Sequence, residues 1–150
     1  MLKPLRVGHV VLNVKDQVAS TKFYTEILGF EIAIDRPGFG TFMTCGRFHH
    51  DLALFQAADD AAPVTKGGLG LNHVALLVES WETLNEFYKS LIENGVEIDH
   101  TTNHSMTYSI YINDPDGNGI ELFSNVQATP EEGLAEMRRP DRKNVALAFN

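Results

Sequence analysis

The sequence has little that would cross-link the chain or hold it in a membrane. Its single cysteine, Cys45, excludes an internal disulfide and is typical of a reducing compartment, so we expect a cytoplasmic protein. No apolar run approaches the roughly 20 residues that cross a bilayer. The N-terminus has no separate hydrophobic region or small-residue cleavage site, so no signal peptide is predicted. We therefore expect no membrane partner.

Positive charge is also scarce. There are 12 Lys and Arg against 20 Asp and Glu, which gives a net charge of −8. Phosphate binding needs clustered Lys and Arg, and the one basic cluster, "RRPDRK" at 138–143, is interrupted by proline and aspartate. We therefore expect no nucleic-acid partner. The 150 residues, 43% of them hydrophobic, are enough for one globular domain with a real core.

What the sequence does contain is an internal repeat. "GHVVLNV" at 8–14 returns as "NHVALLV" at 72–78, and the dipeptide Phe-Tyr recurs at the same offset of 64 residues. In each half, a helix pattern follows the His-Val strand, begins at an N-cap residue (Asp16 or Ser80) and ends at a glycine. Three strand-like runs then complete each half. Each half is therefore predicted to be a βαβββ module.

The repeat defines the expected organisation of the chain. We predict one domain over residues 1–150, built from a module at 5–56 and a module at 69–126. The linker at 57–68 is rich in Ala, Asp, Pro and Gly and has no apolar period. The extension at 127–150 offers one weak helical turn and is expected to pack on the surface or on a partner subunit. The predicted fold class is α+β, with the two tandem modules forming one curved, mixed, cup-like sheet.

Matched residues on matched strands of such a cup face each other across its concave surface. His9 and His73 occupy matched positions and are expected to converge. Glu121 lies between two apolar residues of the last strand, so it is either solvated on the outer face or directed inwards with the histidines. Two histidines and one carboxylate would form the facial triad favoured for Fe(II) and oxygen chemistry. The position in the first half that matches Glu121 is Ala53, so the repeat supplies no fourth ligand.

Five motifs in order resemble the vicinal oxygen chelate superfamily, and within it the type I extradiol ring-cleaving dioxygenases. They are "GHVVLNVKD", "FYTEILGF", "HHDLALF", "NHVALLV" and "HSMTYSIYINDPDGNGIELF", and the resemblance covers about residues 5–125. It implies that His9, His73 and Glu121 bind Fe(II), with Mn(II) or another divalent metal as the alternative. The implied substrates are a catechol-type aromatic diol and O2, and the implied assembly is a homodimer.

The resemblance also assigns roles to three further residues. His50 in "HHDLALF" matches an acid–base histidine beside the oxygen site, and His104 matches a histidine near a substrate hydroxyl. Tyr111 matches a tyrosine that hydrogen-bonds the substrate oxygen. Without the resemblance, His50 lies next to His49 in a strand, so one of the two side chains must point away from the site. Either of them is compatible with a surface position. His104 is then a solvent-exposed residue of the polar loop "HTTNHS", and Tyr111 is a packing residue.

Other activities of the superfamily stay open as alternatives. Glyoxalase I uses four protein ligands, which Ala53 does not support. Fosfomycin-resistance thiol transferases share the His, His, Glu set with Mn(II), but they use basic and Ser-rich loops that this sequence lacks. Isomerases of the superfamily need carboxylate bases, and none is evident in the motifs. Metal-free binding or resistance proteins typically lack the metal ligands.

Overall fold

The sequence repeat is visible in the order of the secondary-structure elements. Over residues 1–149, which the computed structural model describes, the chain forms nine β-strands and three α-helices. It divides into two compact units, the first of which comprises Met1–Thr65 and Asp114–Gly117, and the second Lys66–Asn113 and the chain from Asn118 onward. The predicted α+β class and the twofold βαβββ order are confirmed.

The first unit contains a four-stranded mixed sheet and one helix. Its elements are β1 (Val10–Val14), α1 (Gln17–Glu26), β2 (Glu31–Arg36), β3 (Gly40–Thr44) and β4 (Leu52–Gln56). The strand order is β1-β4-β3-β2, with β1 and β4 parallel and the other pairs antiparallel. The parallel register pairs the first residues of β1 and β4. The segments that lead into these two strands therefore lie side by side.

Helix α1 begins and ends where the sequence predicts. The Asp16 carboxylate accepts hydrogen bonds from two backbone N–H groups of the first turn, which would otherwise have no partner. Just beyond the helix, Gly29 has a φ of 75°, a conformation that costs little only for glycine. The buried Tyr24 hydroxyl donates a hydrogen bond to the Asp114 carboxylate. Burial, together with this carboxylate, raises the pKa of Tyr24 above its usual range, so the phenol stays neutral.

The second unit contains a five-stranded mixed sheet and two helices. Its elements are β5 (His73–Leu77), α2 (Trp81–Glu93), β6 (Ile98–Asn103), β7 (Thr107–Asn113), β8 (Gly119–Asn125), α3 (Pro130–Met137) and β9 (Val145–Ala146). The strand order is β5-β8-β7-β6-β9, with β5 and β8 parallel. The other neighbouring strands are antiparallel. Its first four strands repeat the topology of the first unit.

Helix α2 packs on β7 and β8 through a narrow apolar stripe. Ser80 caps its first turn, as predicted, and Leu84 and Leu91 are fully buried. Ile92, which the helical period places on the same stripe, is 56% exposed. With 13 residues, α2 is the longest helix of the described chain, and no helix there is long and apolar enough to span a bilayer.

Strands β7 and β8 have one apolar and one polar face. The residues buried on the apolar face are Ile110, Ile112, Ile120 and Leu122. Because side chains alternate along a strand, the residues between them point to the opposite face. Ser109 and Tyr111 on β7 therefore lie on the same side of the sheet as Glu121 on β8, and the register places Tyr111 directly opposite Glu121.

The extension beyond the repeat folds onto the second unit. The sequence predicts one weak helical turn here, whereas the structure has the eight-residue helix α3, with a capping box at Thr129, and the strand β9. Strand β9 pairs with the outer edge of β6. Phe149 stacks on the rings of Tyr88 and Trp81 of α2, at 4.4 and 5.1 Å between ring centroids. The extension is thus held at an edge strand and at a helix.

Gly119 of β8 lies opposite His73 of β5, where a side chain on β8 would meet the neighbouring strand. A Cβ atom added at Gly119 would lie 2.7 Å from the backbone oxygen of Asn72 and 3.1 Å from the Cβ of His73. Backbone atoms of a paired strand cannot move away as the end of a flexible side chain can. Gly133 in α3 provides the contrast, because nothing lies within 4 Å of a Cβ added there.

Substitution Gly119→Ala is therefore expected to lower the free energy of unfolding by about 1–3 kcal/mol, as overpacking typically does. Urea denaturation measures this change. The matched control, Gly133→Ala, is expected to be as stable as the parent or more stable by up to about 1 kcal/mol, since alanine is the better helix former. Equal stability of Gly119→Ala and the parent would contradict the close approach of β5 and β8.

Candidate functional site

Polar side chains of β5, β7 and β8 meet around the carboxylate of Glu121 in the second unit. Glu121 is only 9% exposed. Its Oε1 accepts hydrogen bonds from Ser109 Oγ at 2.6 Å and from the Tyr111 hydroxyl at 3.0 Å. Its Oε2 lies 3.0 Å from His73 Nε2. The solvated orientation that the sequence left open for Glu121 is therefore wrong, and the carboxylate faces the histidine of the second His-Val motif.

The preceding residue, Asn72, fixes the imidazole of His73. Asn72 Oδ1 lies 2.7 Å from His73 Nδ1. A carbonyl oxygen only accepts hydrogen bonds, so Nδ1 carries a proton and Nε2 is the ring nitrogen that faces Glu121. Two acceptors 3.0 Å apart are stabilised by a shared cation, which is either a proton or a metal ion. This nitrogen and carboxylate pair, oriented by an outer hydrogen bond, fits the donor set of a divalent metal site.

Tyr111 links the carboxylate to a further histidine. Its hydroxyl donates to Glu121 and lies 2.8 Å from His104 Nε2. The hydroxyl has only one proton, so His104 donates to it from Nε2. Burial, and then the Glu121 carboxylate, raise the pKa of Tyr111 from 10.0 to about 12. At neutral pH Tyr111 is therefore a neutral phenol held between a carboxylate and an imidazole.

A second imidazole covers the ring of Tyr111. The rings of His100 and Tyr111 stack with 4.2 Å between centroids and 9° between planes. Asp99 Oδ2 lies 3.0 Å from His100 Nδ1, and Lys66 binds both oxygens of Asp99. The Lys66 ammonium lowers the pKa of that carboxyl. The prediction that "HTTNHS" is a polar loop is wrong for its first four residues, which belong to β6, because this polar strand is held by backbone pairing on both edges.

A separate histidine cluster lies in the first unit. His9 immediately precedes β1, and His50 lies in the loop that leads into β4, with 4.3 Å between their ring centroids. Phe42 contacts the His50 ring edge to face. The sequence placed His49 and His50 in a strand with opposite directions; both lie in the loop instead, and their rings are in contact. Burial, and then His9 and His49, lower the pKa of His50, which favours its neutral form.

The predicted ligands are distributed over both units. His73 and Glu121 contact each other in the second unit, whereas His9 lies in the first. Among residues 1–149, no group of three or more His, Cys, Asp and Glu side chains is placed to hold a metal ion. The triad as a whole therefore stays a prediction. Ala53 is fully buried in β4 and offers no donor atom.

Sequence reasoning missed three residues of the second-unit cluster. Asn72 orients His73, and Asp99 and His100 support Tyr111. The signal for Asn72 is a departure from the repeat, because the residue before the repeated histidine is Gly8 in the first half and Asn72 in the second. No pattern in the sequence distinguishes Asp99 and His100, since Lys66 and Tyr111, which hold this pair, are distant along the chain.

Comparison with known proteins gives consistent matches. Residues 6–122 match the family model of the Glyoxalase/Bleomycin resistance protein/Dioxygenase superfamily. Biphenyl-2,3-diol 1,2-dioxygenase 3 of Rhodococcus globerulus is 34% identical over 133 residues, which cover 88% of this chain and 70% of the relative. Biphenyl-2,3-diol 1,2-dioxygenase 2 of the same organism is 32% identical over 136 residues, which cover 91% and 71%. The crystal structure of a glyoxalase/dioxygenase from Nostoc punctiforme has a TM-score of 0.70 at 23% identity and covers 85% of this chain and 97% of that one, a likeness of fold.

The environment of Tyr111 predicts the effect of removing the neighbouring charge. In the metal-free protein, Glu121→Gln is expected to lower the pKa of Tyr111 from about 12 towards 10.0, because a phenolate no longer faces a carboxylate. The value stays above 10.0 because burial still disfavours the phenolate. Carbon-13 NMR of labelled tyrosine measures the pKa, and Tyr111→Phe identifies the resonance. Glu97→Gln, at an exposed position of the same unit, is the control; an unchanged Tyr111 pKa in Glu121→Gln would contradict the contact.

Proposed function

This chain belongs to the Glyoxalase/Bleomycin resistance protein/Dioxygenase superfamily, and we propose that it is an Fe(II)-dependent extradiol dioxygenase of a catechol-type substrate. In this reaction the carbon–carbon bond next to the two hydroxyls breaks, and both atoms of O2 enter the ring-opened product. The observation that carries the proposal is the pair of His73 Nε2 and Glu121 Oε2, 3.0 Å apart, beside the neutral hydroxyl of Tyr111. The two biphenyl-diol dioxygenases support the choice of reaction.

We propose that His9, His73 and Glu121 hold the metal. An Fe(II) ion bound there would supply Lewis acidity towards the substrate hydroxyls and the redox chemistry that O2 requires. Asn72 keeps Nε2 of His73 available as a donor, and Ser109 and Tyr111 bind Oε1 of Glu121, which leaves Oε2 as its ligand atom. Mn(II) or another divalent metal is the alternative, because the same donors would hold it.

The residues around this pair would bind and orient the substrate. A catechol hydroxyl beside Tyr111 would meet a neutral phenol and the imidazole of His104, which together fix the position of the substrate oxygen. His50 is proposed as the acid–base residue. Its lowered pKa favours the neutral imidazole near pH 7, so it is ready to accept a proton and return it later in the reaction.

Other members of the superfamily define the alternatives. A glyoxalase-like enzyme with four protein ligands is disfavoured because Ala53 is buried and has no donor atom. A thiol transferase or an isomerase would use the same metal ligands with a different substrate. Metal-free binding proteins of the superfamily typically lack the metal ligands, whereas His73 and Glu121 are both present here and face each other. The homodimer and the cytoplasmic location expected from the sequence stay predictions.

Oxygen uptake by anaerobically Fe(II)-loaded protein across a panel of catechols tests the proposal. We expect uptake of one O2 for each ring opened, with the yellow colour of a ring-opened product. His73→Ala and Glu121→Gln are expected to lose metal affinity by more than about 100-fold, since even residues outside the ligand set typically contribute about 10- to 100-fold. Both variants should therefore show no uptake at the metal concentration that saturates the parent.

Controls separate loss of metal from loss of fold. Glu97→Gln changes an exposed glutamate of the same unit and should keep metal and activity. Circular dichroism of each variant reports its fold. If the parent holds iron and takes up no oxygen with any catechol, the dioxygenase proposal is wrong and another metal-dependent reaction becomes the leading interpretation. If the parent protein holds no divalent metal, a metal-free binding protein becomes the leading interpretation.

A further inference from the structure

The turn between β6 and β7, residues 104–106, carries His104 and is held from several sides. Ser105 has a φ of 66° and is the one non-glycine residue with positive φ in the part of the chain that the structure describes. A side chain rarely adopts this conformation unless its surroundings enforce it. Asn103 Oδ1 accepts a hydrogen bond from the Ser105 N–H at 2.7 Å, and the backbone of Val126 donates to Met106.

Two residues beyond the repeat, Gln127 and Arg142, also contact the turn. Arg142 donates from Nη1 to the backbone oxygen of His104 at 3.0 Å. The same nitrogen lies 3.9 Å from the sulfur of Met106. Gln127 donates from Nε2 to the backbone oxygen of Ser105 at 3.1 Å. The extension of the chain therefore holds two consecutive carbonyl groups of the turn.

The matching turn of the first unit is built differently. Between β2 and β3 the left-handed position is taken by Gly38, with a φ of 73°, and its N–H donates to Gln17 of α1. Glycine adopts this conformation at little cost. The first unit thus makes its turn with glycine and a helix residue. In the second unit a non-glycine turn next to His104 is held by the extension instead.

Arg142 is held in place by the chain segments that precede and follow it. It follows α3 and precedes β9, which pairs with the edge of β6. The Thr101 hydroxyl of β6 donates to the backbone oxygen of Leu147 at 2.6 Å, and Phe149 stacks on α2. Arg142 also donates to Asn144 Oδ1 at 3.0 Å. The guanidinium is therefore held at a defined place relative to the strand that leads into His104.

We propose that Arg142 is a positioning residue that sets the place of the His104 imidazole. The contacts run from the guanidinium to the His104 carbonyl, and from His104 Nε2 to the Tyr111 hydroxyl at 2.8 Å. Its effect on catalysis rests on the proposed function, in which His104 and Tyr111 orient the substrate oxygen. A displaced imidazole reduces turnover although the residue that moved it touches no substrate.

Three variants test this role. Arg142→Met keeps the apolar stem and removes the donors, Arg142→Lys returns one donor, and Arg139→Met is the matched control. Arg139 lies in the same extension and pairs with Glu136 and Asp141. With the catechol that the parent turns over fastest, we expect Arg142→Met to lower kcat by at least about tenfold, the effect typical of a supporting partner. Metal content and KM should stay unchanged, Arg142→Lys should recover most of kcat, and Arg139→Met should match the parent.

A measurement without turnover separates this proposal from the proposed function. In the metal-free protein, the nuclear Overhauser effect between the ring protons of His104 and Tyr111, together with amide exchange at His104, reports the position of the imidazole. A weaker effect and faster exchange in Arg142→Met, restored in Arg142→Lys, support the positioning role even if no catechol is cleaved. Unchanged NMR signals in Arg142→Met would overturn it, and so would equal effects of Arg142→Met and Arg139→Met. If Arg142→Met does not fold, Arg142→Gln, which shortens the side chain, is measured instead for the same two signals; a weaker ring-to-ring effect supports the positioning role, and unchanged signals overturn it.

Discussion

The second unit is organised around one requirement, the pairing of the buried carboxylate of Glu121. A carboxylate removed from water is costly unless hydrogen bonds and an opposite charge compensate it. Ser109 and Tyr111 satisfy one oxygen, and His73 faces the other. Because Asn72 binds Nδ1, Nε2 of the imidazole faces that oxygen, and a proton or a metal ion between the two atoms would complete the arrangement. The buried charge of Glu121 has to be compensated for the fold to be stable, and a metal ion would provide that compensation.

Pairing of the backbone strands fixes where these side chains lie. Pairing of β5 with β8 in parallel sets His73 opposite Gly119, where the missing side chain lets the strands approach. Alternation along β7 and β8 sends the aliphatic residues to α2 and leaves the polar ones on the other face. Further contacts then support the carboxylate. Tyr111 binds it directly, and His100 and His104 contact Tyr111. Arg142 of the extension contacts the backbone of His104.

Sequence periodicity predicted the helices and the apolar strands, whose signals are local. It failed for contacts between segments that are distant along the chain. The repeat and its glycine stops placed α1, α2 and the apolar strands, since caps and apolar periods are local signals. The polar strand β6 has no apolar alternation, because its edges are paired by β7 and by the two-residue β9, and neither is visible from "HTTNHS". Resemblance to a family pointed to Glu121 and Tyr111. It did not point to Arg142, whose partner is 38 residues away along the chain.

We propose that a divalent metal, and not only a proton, lies between His73 and Glu121. Anomalous X-ray diffraction at the iron edge, from crystals of the anaerobically Fe(II)-loaded protein, tests it most directly. We expect an iron peak within bonding distance of His73 Nε2 and Glu121 Oε2, with His9 as the third protein ligand. An iron peak elsewhere, or a direct contact between His73 and Glu121 with no metal at full loading, would contradict it.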